Sequence, residues 1–106
     1  MLKSTIVLAA ALVVLAAGVH AAGVTVDQSG QHFSERSLDL TKGDVLNFAN
    51  KDDVSHNITV VDSDDDAVDL GLQKPGETFT YKFDKQGKFK IRCSIHPSMK
   101  LAVTVK

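Results

Sequence analysis

Cys93, His96 and Met99 recur at three-residue intervals in the stretch Cys93-Ser94-Ile95-His96-Pro97-Ser98-Met99. A thiolate, an imidazole and a thioether are thereby gathered in one short loop, and the cysteine is the chain's only one. A second imidazole is available from His56, at the head of the apolar run Ile58-Thr59-Val60-Val61. Two His, one Cys and a weakly bonding Met form a donor set suited to copper that cycles between its two oxidation states. Structural zinc prefers four Cys or His donors and gains little from Met. A cysteine hydrolase would need a third group to orient its base, a role a thioether cannot fill.

Elements that would position these donors show a period of two. Leu38 and Leu40 alternate before a turn at Gly43-Asp44, and Leu46 and Phe48 alternate before the polar break Asn50-Lys51-Asp52-Asp53. Phe79, Tyr81 and Phe83 follow the Pro75-Gly76 turn, Phe89, Ile91 and Cys93 follow Gly87, and Leu101, Val103 and Val105 close the chain. Short alternating strands with regular turn signals indicate an all-β sandwich or barrel. Residues two apart on a strand share a face. His56 is in phase with Ile58 and Val60, Cys93 with Phe89 and Ile91, and Met99 with Leu101, so these three are expected to point inward at one end. His96, between two strands, is free to lean toward solvent.

The start of the chain has a different character. Lys3 precedes an almost wholly apolar run from Ile6 to Val19, and Val19-His20-Ala21 supplies residues suited to a cleavage site. This pattern is that of a secretory signal peptide over residues 1–21, leaving one domain over 22–106. The run is shorter than the ~20 residues a membrane-spanning helix needs, so no stable membrane anchor is expected. Without a cysteine at the cleavage site a lipid anchor is not expected either. The chain of 106 residues carries a formal charge of −1, or −2 once Lys3 is lost. No basic excess points to nucleic acid. Export to an oxidising compartment, the periplasm, usually pairs cysteines. A single cysteine cannot pair within its chain, and a metal bond is one way to protect it.

Asp62, Asp64 and Asp66 match the first acidic positions of a calcium loop, but Ala67 stands where glycine is needed and Gln73 where the closing glutamate belongs. The calcium reading fails on geometry and charge, leaving a solvated acidic turn, with an acidic patch that steers a basic partner as the alternative. His32 is read as a surface residue.

From about Phe33 to Val105 the chain resembles the small blue-copper proteins, the cupredoxin family of plastocyanin, azurin, pseudoazurin and amicyanin. The resemblance rests on Thr41-Lys42-Gly43-Asp44-Val45, Asn50…His56-Asn57, Pro75-Gly76-Glu77 and the terminal loop, whose Cys-x2-His-x2-Met spacing is the short, amicyanin-like form. It implies a cupredoxin-like Greek-key β-sandwich holding one type 1 copper, with His56, Cys93 and His96 as equatorial ligands and Met99 as the axial one. It also implies that Asn57 ties the two ligand segments together, with Ser94 as its partner. Where several members have proline before the loop histidine, this chain has Ile95, whose N–H is free to donate to the Cys93 sulfur.

The expected function is that of an exported, monomeric single-electron carrier, not an enzyme. It would exchange electrons with a redox donor and acceptor such as a cytochrome, dehydrogenase or oxidase, through His96 and a rim containing Ile95 and Pro97. A module for copper delivery or buffering is the alternative.

Overall fold

A computed structural model describes residues 23–106; the leader assigned to 1–21 lies outside them. Among the described residues nine strands are formed: β1 (Gly23–Ser29), β2 (His32–Phe33), β3 (Ser37–Leu40), β4 (Val45–Asn50), β5 (His56–Val61), β6 (Ala67–Gln73), β7 (Thr78–Lys82), β8 (Gly87–Arg92) and β9 (Lys100–Val105). They build two sheets, in the orders β2-β1-β4-β7 and β3-β9-β8-β5-β6. The pairs β1/β4 and β3/β9 are parallel and the remainder antiparallel. Among the described residues no helix is long and apolar enough to cross a membrane.

The period-two pattern explains how the sheets face each other. Leu46 and Phe48 of β4, Ile58 and Val60 of β5, Phe89 and Ile91 of β8, and Leu101, Val103 and Val105 of β9 all bury their side chains in one core. Their neighbours Lys88, Lys90, Arg92 and Lys100 face out. Each large apolar side chain taken fully from water contributes about 1.5–3 kcal/mol. Phe83 stacks edge-on against Tyr81 and Phe89, with ring centroids 4.9 and 5.1 Å apart.

Turn chemistry sets the register. Pro75 and Gly76 occupy the centre of a turn closed by the Glu77 amide donating to the Lys74 carbonyl at 3.1 Å, and Gly76 has φ +85°. Proline followed by a residue at positive φ is the pattern of a type II turn. In β6 the pairing with β5 slips between Ile58 and Thr59. This irregularity sits next to His56 and Asn57, and it lets the Asp69 carboxylate reach both the Asn57 side-chain amide (2.9 Å) and the Gly71 amide (2.8 Å). Bulges often re-aim side chains in this way.

The first strand was not foreseen. Val26 is fully buried, but Gln28, the next inward position, is a polar residue also fully buried, which breaks the apolar alternation of β1. The acidic segment behaves as expected. Asp62 Oδ1 accepts from the Asp64 and Asp66 amides at 2.8 and 3.0 Å, forming a self-contained turn.

Candidate metal centre

Three donor groups converge at one end of the sandwich. His56 opens β5 and is fully buried. Cys93 follows directly on β8, in phase with Phe89 and Ile91, and is buried. His96 lies in the connection to β9 and is half-buried. The Nδ1 atoms of His56 and His96 stand 3.0 Å apart, and the Cys93 sulfur lies 3.8 Å from the first and 3.7 Å from the second. Donors that bond one ion at roughly 2.0–2.3 Å must sit about 3–4 Å from one another, as these do. Met99, one residue before β9, is 1 % exposed, and its amide donates to the His96 carbonyl at 2.9 Å, closing the loop on itself.

The hydrogen-bond state of His56 matches that use. Its Nε2 faces Asp52 Oδ2 at 2.7 Å. Burial by itself raises the Asp52 pKa. Hydrogen bonds from Gln31, His56 and Gly30, with the attraction of His56, outweigh that effect and hold the carboxyl below its ordinary 3.8. An ionised carboxylate only accepts, so Nε2 carries the proton and donates it to Asp52. The Nδ1 lone pair is then left facing the Cys93 sulfur. A carboxylate behind an imidazole fixes both its tautomer and its orientation. Asp52 is itself held by the Gly30 and Gln31 amides at 2.6 and 3.0 Å, which anchor it to the turn between β1 and β2.

Asn57 performs the tie expected of it. Its Oδ1 accepts from the Ser94 amide at 2.8 Å and the Ser94 hydroxyl at 2.6 Å. Its backbone amide donates to the Cys93 sulfur at 3.4 Å. The donor to the sulfur is thus Asn57, not Ile95. Two segments 36 residues apart are clasped by one residue, so His56 and Cys93 keep their separation. Sequence reasoning missed Asp52. It lies four residues before His56 in a polar break, and nothing local marks it off from Asp53.

A family model described as copper binding proteins of the plastocyanin/azurin family matches residues 20–106. The chain belongs to the plastocyanin/azurin family. Similar relatives include the methylamine utilization protein MauL of Methylophilus methylotrophus, 33% identical over 79 residues, covering 73% of this chain and 45% of that one. Plastocyanin of Pisum sativum is 34% identical over 106 residues, covering 86% of this chain and 61% of that one. The chain therefore spans under two thirds of the length of these two relatives. Among solved structures, a reduced Cu(I) form of an amicyanin variant superposes with a TM-score of 0.73 at 23% identity, covering 85% of this chain and 88% of that one. The fold is accordingly the cupredoxin β-sandwich, and copper of type 1 is the metal that this family's donor set takes up here.

Proposed function

We propose that this protein carries single electrons between redox proteins after export, with His56, Cys93 and His96 as the strong copper ligands and Met99 as the weak axial one. The observation that carries the reading is the convergence of two Nδ1 atoms and one sulfur within 4.8 Å of one another. When bound, copper supplies the one-electron couple between Cu(I) and Cu(II).

The residues around it supply rigidity and access. Asp52 and Asn57 hold His56 and Cys93 in place through hydrogen bonds to the turn between β1 and β2 and to the segment that follows β8, so the donors need not rearrange with charge. The buried core behind Cys93 and Met99 excludes water. His96, half-buried, gives the electron a route to the surface. Ile95 (49 % exposed) and Leu72 (57 % exposed) are apolar and open at this end, and Pro97 is exposed beside His96. They form a rim suited to brief contact with another protein. Nothing in this role requires a substrate or a broken bond.

Export rests on Lys3, the apolar run Ile6 to Val19 and Ala21; N-terminal sequencing of periplasmic material should read from near Ala22. The carrier role is tested by voltammetry on the copper-loaded protein. Reversible one-electron waves with copper retained over many cycles support it. Ready loss of Cu(I) to an apo acceptor protein would instead favour copper delivery.

A further inference from the structure

Charge is distributed unevenly over the outer face of the five-stranded sheet. Lys90 and Arg92 of β8 are both exposed on that face, about two residues' rise apart. Lys100 of β9 is exposed directly opposite Arg92 in the ladder. Arg36 joins them, its carbonyl accepting from the Ala102 amide at 3.0 Å. These four cations line one shallow groove with Leu101 and Ala102, and no carboxylate lines it. Among the described residues none of the four forms an ion pair. Like charges directly opposite across a ladder are destabilising, as Arg92 and Lys100 are here.

The rest of the molecule makes the patch more distinct. The formal charge of the whole chain is −1. Four of its thirteen Asp and Glu residues are in the turn Asp62 to Asp66, at the far end of β5 from His56. There Lys85 pairs with Asp62 at 3.4 Å, and Lys88 and Lys90 share a groove with Asp62 and Asp65. Lys90, opposite Val61, borders that acidic turn, and Glu35 lines a neighbouring groove with Arg36 and Lys100, whereas Arg92 and Lys100 lie toward the metal end. A second groove joins them to the centre itself, since Arg92 and Lys100 line it with Cys93, Ser94 and Pro97.

We infer that this face, centred on Arg92 and Lys100, docks an acidic surface of a redox protein and seats it beside the Cys93 side of the copper centre. The inference rests on the electron-carrier reading and adds to it the charge of the partner and the face it uses. The occupant is argued from charge: four unpaired cations attract an acidic protein surface and repel a basic one. Such fields raise encounter rates roughly 10–1,000-fold and lose that effect as salt is added.

The test uses the full mature, Cu(I)-loaded protein, labelled with 15N, and two haem proteins of opposite charge: the acidic soluble domain of cytochrome b5 and a basic cytochrome c. Addition of the acidic protein should shift the amides of Arg36, Lys90, Arg92 and Lys100. Binding should weaken about tenfold on adding ~0.2 M salt, where screening acts within about 8 Å. Lys90→Gln with Lys100→Gln should weaken it about as much, whereas Lys82→Gln, on the other sheet, should not. The basic protein should leave this face unshifted. Shifts confined to Ile95–Pro97 and insensitive to salt would overturn the inference. So would equally tight, saturable shifts produced by inorganic phosphate alone. A voltammogram of the same samples separates the two readings: a missing reversible wave counts against electron carriage, whereas an intact wave with an unperturbed face counts against docking there.

Discussion

Asp52→Asn isolates the charge that stands behind His56. The variant keeps the size of the side chain and one acceptor oxygen, which at the Oδ2 position retains the bonds from Gln31 and His56 at 3.0 and 2.7 Å, while the Gly30 amide, which donates to Oδ1, loses its acceptor. What it removes is a full negative charge 2.7 Å from His56 Nε2. The imidazole and one metal–nitrogen bond of about 2 Å place that charge roughly 7 Å from copper. At an effective dielectric constant of about 20, a unit charge at that distance contributes about 2.4 kcal/mol. Oxidation adds one positive charge, so the carboxylate favours Cu(II) by that amount. With about 59 mV per tenfold change in a one-electron couple and about 1.4 kcal/mol per tenfold, this is on the order of 100 mV. The Asp52 side chain is 10% exposed, so solvent screening removes only part of it. The potential of Asp52→Asn should therefore rise by about 50–100 mV at fixed pH, read by voltammetry with the visible spectrum retained. A potential that stays put or falls while the spectrum is intact would refute the claim that Asp52 acts on copper through His56.

Cys93→Ser should abolish the intense visible charge-transfer band of the Cu(II) protein, because only a thiolate donor gives it; a variant that stays coloured would remove Cys93 from the centre. Met99→Gln should lower the potential and Met99→Leu raise it, since an oxygen donor favours Cu(II) and loss of a donor disfavours it; voltammetry that shows no shift in either would exclude Met99. Asn57→Ala leaves the Ser94 amide without its acceptor and should cost about 1–3 kcal/mol in urea unfolding of the apo protein. Acid should also destabilise the apo fold. The hydrogen bond from the Asp66 amide, with smaller ones from Asp64 and Lys85, holds the Asp62 carboxyl below its ordinary 3.8, and Asp52 is lowered too. The folded chain then binds fewer protons than the unfolded one, so this stability is present above the unfolded pKa and lost as pH falls through the folded values. Urea midpoints should drop below about pH 4, and less steeply in Asp62→Asn.

The strands that carry the centre were legible because one sheet face is buried and the other wet. Leu46 and Phe48, Ile58 and Val60, or Phe89 and Ile91 betray their strands by alternation alone. The same phase argument placed His56 and Cys93 indoors and His96 nearer solvent, as the structure has them. Two kinds of feature escaped. In β1 the buried Gln28 breaks the hydrophobic pattern, so alternation could not report that strand. Asp52 gains its role only because the turn between β1 and β2, more than twenty residues away, presents the Gly30 and Gln31 amides to it. Long-range hydrogen bonds of that sort leave no periodic trace. Asn57 and its partner Ser94 were reached through family resemblance to the motif, and the bond from the Asn57 amide to the Cys93 sulfur became visible only in three dimensions.

The central claim is that one copper sits on the Cys93 thiolate with two imidazoles and changes oxidation state in place. Its most direct test is the visible spectrum of the apo protein titrated with Cu(II), then treated with ascorbate and reoxidised. The account predicts an intense band that saturates at one equivalent, bleaches on reduction and returns on oxidation without added metal. A colourless Cu(II) complex, or a band that ascorbate leaves unchanged, would contradict it.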